Sequence, residues 1–178
     1  MTVPDCPLTQ PSTKVEGHPL PRGERVTRGD IVAIARSWIG TPYRHQGALK
    51  GVGCDCLGLL IGVWRELTGE AAGPIPPYTP DWAEAEGRET FADALRARLR
   101  EIEIGEAREG DLVLFRWRRH LPAKHAGILT GPDRMVHAQE RACVAEVPLN
   151  AWWRRRTAYV FAFREETKDS QVNAMQEL

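Results

Sequence analysis

The chain changes its hydrophobic period once, near Gly105, and that change limits the folds open to it. Upstream, apolar residues recur at helical spacing: Cys56, Leu59, Leu60, Val63, Trp64 and Leu67 form one stripe, closed by Gly69. Thr27 reads as an N-cap with Asp30 in the first turn, ahead of Ile31, Ile34, Ala35 and Trp38, and Gly40 ends that helix. A third helix is expected over 88–101, with Phe91, Leu95 and Leu99 inward. Downstream the apolar runs are short and strand-like: Asp111 to Trp117, His125 to Thr130, Arg134 to Ala138, Ala142 to Val147 and Ala158 to Arg164. Helices first and strands later, with short connections, predict an α+β fold with an antiparallel sheet.

A length of 178 residues fits one domain with tails. Residues 1–26 read as a Pro-rich flexible arm, 27–165 as the domain, and 166–178 as a polar tail. Residues 70–81 form a second Pro-rich stretch, read as a loop. Lys plus Arg equals Asp plus Glu at 24 each, so nothing global favours a nucleic-acid partner. Cys6, Cys54, Cys56 and Cys143 include no Cys-x-x-Cys pair, so no zinc site is expected. They are too sparse for a disulfide scaffold, so reduced thiols and a cytosolic origin are expected. Residues 1–26 contain no apolar run of signal-peptide type, and the longest apolar stretch, Cys56 to Trp64, is too short for membrane insertion. A substrate outside the cytoplasm would therefore need another carrier for this protein.

Asp55-Cys56 stands at the start of the most apolar helix. Free backbone N–H groups and the helix dipole at that point favour thiolate over thiol, and the same N–H groups can hold an oxyanion. Nucleophilic cysteine chemistry also needs a base within hydrogen-bond reach and a polar group to orient that base. Of five histidines, His18 lies in the arm, His45 in the loop before the cysteine helix, and His120 in a basic loop. His125 and His137 sit on adjacent predicted strands. A three-residue turn at 131–133 pairs Thr130 with Arg134 and Gly127 with His137. His125 then becomes the diagonal neighbour of His137 on one face, with Gly127 leaving room for the imidazole. A turn of two or four residues puts the two histidines on opposite faces. The sequence permits the first register.

Several segments together resemble the NlpC-type cell-wall peptidases. They are Gly40-Thr41-Pro42-Tyr43, Asp55-Cys56-Leu57-Gly58-Leu59, Gly110-Asp111-Leu112-Val113-Leu114-Phe115, His125-Ala126-Gly127-Ile128-Leu129 and Val136-His137-Ala138. The resemblance spans roughly residues 27–165. It implies a papain-like α+β fold, with the nucleophile helix packed on an antiparallel sheet, and cleavage of peptidoglycan stem peptides next to D-γ-glutamyl, with no cofactor or metal. By position it implies Cys56 as nucleophile, His125 as base and His137 as the orienting residue. Tyr43 would line the site, and Asp55 would meet the substrate's free amino end. Asp55 also reads independently as a helix cap. Leu57 departs from the Ser that follows the cysteine in most members.

The longer run Gly53 to Leu60, followed by Gly62-Val63-Trp64-Arg65-Glu66-Leu67-Thr68-Gly69, is similar to the subset encoded with phage tails and gene-transfer agents. That implies delivery to the wall in a phage-like particle and tail-hub or tail-tip partners. Two alternatives share the fold: a non-catalytic tail-tip protein, or an amidase or acyltransferase using the same Cys–His pair. Two basic aromatic clusters, Arg116 to His120 and Trp152 to Arg156, flank the predicted sheet. Either attracts carboxylates, docks a partner, or is simply surface.

Overall fold

The computed structural model describes residues 26–69 and 87–163. Apart from Val26, the expected arm lies outside these residues, as do the 70–81 loop and the polar tail. The fold is α+β, as expected. Helix α1 (Arg28–Ser37) starts at Thr27, where a reciprocal cap forms: the Asp30 N–H donates to Thr27 Oγ1, and the Thr27 N–H donates to Asp30 Oδ2. A two-stranded hairpin, β1 (Ala48–Leu49) and β2 (Gly53–Cys54), leads into α2 (Cys56–Thr68). Gly69 closes α2 in the left-handed conformation, at φ 73°. Helices α1 and α2 approach closely because Gly62 lies under the Trp38 ring, where a Cβ would come within 2.0 Å of a ring carbon.

Helix α3 (Thr90–Arg96) precedes β3 (Arg100–Ile102), a 3₁₀ turn over Ile104–Glu106, β4 (Leu112–Phe115), β5 (His125–Gly131), β6 (Arg134–Ala138) and β7 (Val144–Pro148). A short helix α4 (Ala151–Arg154) then leads to β8 (Thr157–Ala162). The six larger strands form one antiparallel sheet in the order β3-β8-β4-β5-β6-β7. Leu59, Leu60, Val63 and Leu67 of α2 share a buried core with Leu112, Leu114, Ala126, Ile128, Val136 and Phe161. Alternate residues of the same strands (Val113, Phe115, Leu129 and Met135) join Leu149 and Trp153 in a second, smaller core. The central strands thus bury both faces, which their near-continuous apolar runs allow.

The third helix is shorter than expected. Leu99 is buried as anticipated, but the chain has already left the helix and turned into β3, which pairs Arg100, Glu101 and Ile102 with Ala162, Phe161 and Val160. Strand β7 begins two residues later than expected, at Val144. Cys143, just before it, is disulfide-bonded, which corrects the expectation of reduced thiols throughout. Cysteine density argues against a disulfide scaffold but says nothing about a single pair. Cys54 and Cys56 are free thiols.

The β5–β6 hairpin reaches the expected register by a different route. Its tip is the two-residue turn Pro132–Asp133, with Gly131 opposite Arg134. An unbroken ladder from that tip would put His125 and His137 on opposite faces. Instead the register shifts between Leu129 and Gly131, so Thr130 is taken up in a bulge, and Leu129 pairs with Met135 and Ile128 with Val136. Gly127 then faces His137, and a Cβ on Gly127 would lie 3.6 Å from the Cβ of His137.

Candidate active site

The start of α2 is held by one carboxylate. Asp55 is extended and 2% exposed. Its Oδ1 accepts the Gly58 N–H at 2.8 Å, and its Oδ2 accepts the Gln46 N–H at 2.7 Å, so it both caps the helix and fastens the 44–47 loop to it. His45 Nδ1 stands 3.5 Å from the same Oδ2. The loop can lie this close because residue 58 is glycine: a Cβ there would sit 1.7 Å from the Gly47 carbonyl oxygen. Tyr43 is fixed through its backbone, donating to Ala142 O at 3.0 Å and bridging Cys54.

These contacts place Cys56, the first residue of α2, half-buried against the start of β5. Its thiol lies 3.8 Å from the carbonyl oxygen of Lys124, the residue before His125. That carbonyl, not an imidazole nitrogen, is the thiol's side-chain hydrogen-bond partner in this structure. His125 Nε2 lies 3.0 Å from Nδ1 of His137, and the two rings meet edge to face. His137 is buried at 5% exposure. Cys56 thus meets the backbone at the start of β5, where His125 in turn meets His137, and among the described residues no hydrogen bond joins the thiol to either imidazole. Tyr43 and Asp55 lie on the loop and cap that precede α2. His120 is exposed in the β4–β5 connection, and His18 lies outside the described residues.

Burial dominates the electrostatics. The Cys56 thiol is pushed up to about 12, first by burial and then by the Asp55 carboxylate, while the backbone N–H groups of Ala126, Leu57 and Cys56 pull the other way. Burial, then the neighbouring His137, lowers His125 to about 3, and burial alone lowers His137 to about 4. The Tyr43 phenol is raised to about 12 by burial, Asp55 and Cys56 in that order. These shifts favour a neutral thiol and neutral imidazoles. The backbone N–H groups favour thiolate as expected, but desolvation and Asp55 oppose them.

Residues that the sequence did not assign to the site surround His125. Trp153 and Trp117 stack near its ring at 5.5 and 5.8 Å between centroids, and Phe115 lies at 6.1 Å. The available signal was strand pairing, since Phe115 is directly opposite His125 and Trp117 follows two residues later. Among the described residues no group of His, Cys, Asp and Glu is arranged to hold a metal ion, and no helix is long and apolar enough to cross a membrane.

The sequence profile of the NlpC/P60 family matches residues 40–162, a segment that includes all five of the residues just placed. The chain belongs to the NlpC/P60 family. Solved structures carry the same fold. The NlpC/p60 domain of the peptidoglycan hydrolase SagA matches at 22% identity and TM-score 0.57, over 78% of this chain and 100% of that one. An NlpC/P60 family protein from Bacillus cereus matches at 18% identity and TM-score 0.58, over 79% of this chain but only 41% of its own. The peptidoglycan hydrolase RipB from Mycobacterium tuberculosis matches at 18% identity and TM-score 0.53, over 78% of this chain and 65% of its own. None of the curated proteins compared with the chain matches it. Within this NlpC/P60 domain, Leu57 is half-buried against the main core, so the departure from Ser replaces a hydroxyl with a packing group.

Proposed function

We propose that this NlpC/P60 protein is a cysteine peptidase that hydrolyses an amide bond in peptidoglycan stem peptides, next to a D-γ-glutamyl residue. One observation carries the reading: Cys56 opens a helix against the very strand that begins with His125, whose far ring nitrogen is held by His137. In the proposed reaction the thiol turns from Lys124 O toward His125. His125 takes its proton as the sulfur attacks the amide carbonyl, which fits shifts that favour a neutral pair. The backbone N–H of Cys56 and a neighbouring donor stabilise the oxyanion. The C–N bond breaks, His125 returns the proton to the leaving amine, and a thioester remains on Cys56. Water, deprotonated by His125, then releases the acid and restores the thiol. His137 fixes the tautomer of His125 throughout. Asp55 and Tyr43 are proposed to receive the substrate's amino end, a role supported by the negative charge that Asp55 places beside Tyr43.

The wider setting we propose is a phage-tail-type particle that opens the wall locally, supported by the run Gly53 to Gly69. Leu57 favours testing a second outcome, an amidase or acyl transfer from the same thioester. Digestion of purified stem peptides by the wild type and by Cys56→Ala, read by mass spectrometry, separates these readings. A glutamyl cut made by the wild type alone supports the peptidase. A different bond or a transferred acyl group redirects it, and no cut by folded protein moves the weight to a non-catalytic tail-tip role.

A further inference from the structure

The two basic aromatic clusters are far apart in sequence but meet in space. The Arg116 N–H donates to Arg156 O at 3.0 Å, and Trp117 lies 5.6 Å from Trp152 and 6.2 Å from Trp153. The result is one surface that runs outward from His125: Trp153 and Trp117 next to its ring, then Trp152, 40% exposed, with the Arg156 guanidinium 3.9 Å over its ring. Arg118 and Arg119 follow Trp117 in the chain and Arg155 follows Trp153 by two residues; all three are exposed and have no ion-pair partner among the described residues, whereas Arg116 is paired with Glu89.

The reaction proposed above, on which this inference rests, says which part of a substrate reaches that surface. The group that protonates the leaving amine must lie within hydrogen-bond distance of it. The leaving fragment therefore starts at His125 and continues away from Cys56, while the acyl fragment lies toward Tyr43 and Asp55. A peptide's leaving fragment ends in its C-terminal carboxylate. We infer that the Trp117–Trp152–Trp153 surface is the subsite for the leaving fragment, and that Arg118, Arg119 and Arg155 select fragments carrying a free carboxylate. The tryptophans supply flat apolar area at low conformational cost, and the unpaired guanidiniums supply charge of the right sign.

The test uses the full-length protein and one synthetic stem peptide, with D-γ-glutamyl at the cut, made as the C-terminal acid and as the C-terminal amide. The readout is the ratio of kcat/KM for acid over amide, in wild type and in the triple variant Arg118→Gln, Arg119→Gln, Arg155→Gln. Wild type is expected to prefer the acid about tenfold at low salt, the size that three exposed charge contacts can supply. The ratio is expected to fall toward one in the triple variant, and in wild type as salt screens the charges. A ratio near one in wild type, or a ratio that survives the triple substitution, overturns the inference. If wild type cuts neither peptide, the hydrolase reading fails separately, and calorimetric titration of Cys56→Ala with the acid and amide forms of the leaving fragment decides the subsite. Tighter binding of the acid, lost with the arginines, supports it, and equal binding overturns it.

Discussion

His125 Nε2 faces His137 Nδ1 at 3.0 Å, and this contact leaves Nδ1 of His125 as the nitrogen that can turn to the thiol. Without His137 the His125 ring loses both its tautomer lock and its hold on that orientation. His137→Ala is expected to lower kcat about 10- to 100-fold, as a misplaced general base does, with KM little changed. His137→Gln, which can still accept or donate at that point, is expected to recover part of the loss. Steady-state kinetics on both variants checks this, and equal losses in both would mean that the hydrogen bond does not matter.

His125→Ala removes the proposed base and is expected to cost at least about a hundredfold in kcat. Cys56→Ala is expected to give no product at all. Both variants should keep a cooperative thermal melt, because Cys56 and His125 stand at the half-buried ends of their elements rather than in the fully buried core.

The shifts of Cys56 up to about 12 and of His125 down to about 3 favour a neutral thiol and a neutral imidazole. At pH 7 the ultraviolet difference spectrum between wild type and Cys56→Ala is expected to show no thiolate. Alkylation of Cys56 by iodoacetamide should accelerate as pH rises through the alkaline range. The acid limb of kcat/KM should fall well below 6.5, because the depressed His125 stays unprotonated there. A thiolate signal already present at pH 6 would contradict the neutral pair.

The same shifts set a pH window for stability. His125 and His137 have folded values below 6.5, so the unfolded chain binds more protons as pH falls, and their contribution, full above 6.5, is lost toward pH 3 to 4. Cys54 and Cys56 have folded values near 12 against an ordinary 9.0. Their contribution is full below 9.0 and is lost as pH rises toward 12. Thermal melts across pH should therefore plateau between about 6.5 and 9 and fall on both sides.

Asp55→Ala is expected to destabilise the fold by about 0.5–2 kcal/mol through loss of the cap, and by more if the freed Gln46 N–H stays buried. It should also move the alkylation profile of Cys56 to lower pH, because the carboxylate is the second cause of the raised thiol. Gly58→Ala acts by a different route. Its methyl would collide with a backbone carbonyl that cannot swing aside, so a cost of about 1–3 kcal/mol is expected, together with lost activity as the 44–47 loop is pushed off Asp55.

Local signals proved legible and context-dependent ones did not. Thr27 and Asp55 announce their caps, and the stripe from Leu59 to Leu67 announces the buried face of α2, because both depend on residues within a turn or two. The sequence only permitted a shared face for His125 and His137, because that face depends on the bulge at Thr130, which no local signal marks. Strand β3 escaped notice because Arg-Glu-Ile has no apolar alternation and exists through its pairing with β8. The β1–β2 hairpin was hidden in a glycine-rich loop. The meeting of Trp117 with Trp152 and Trp153 depends on which strands become neighbours, and the raised Cys56 thiol depends on burial that only the packed structure supplies.

The Thr130 bulge gives the hairpin a residue in reserve. Deleting the codon for Thr130 would leave a regular two-residue hairpin with Leu129 still opposite Met135 and Gly127 still opposite His137. Loss of a second codon from β5, or gain of one without a second bulge, would turn one imidazole to the far side of the sheet. The tip of this loop is thus a place where a lineage can shed one residue without disturbing the chemistry below it, and only one.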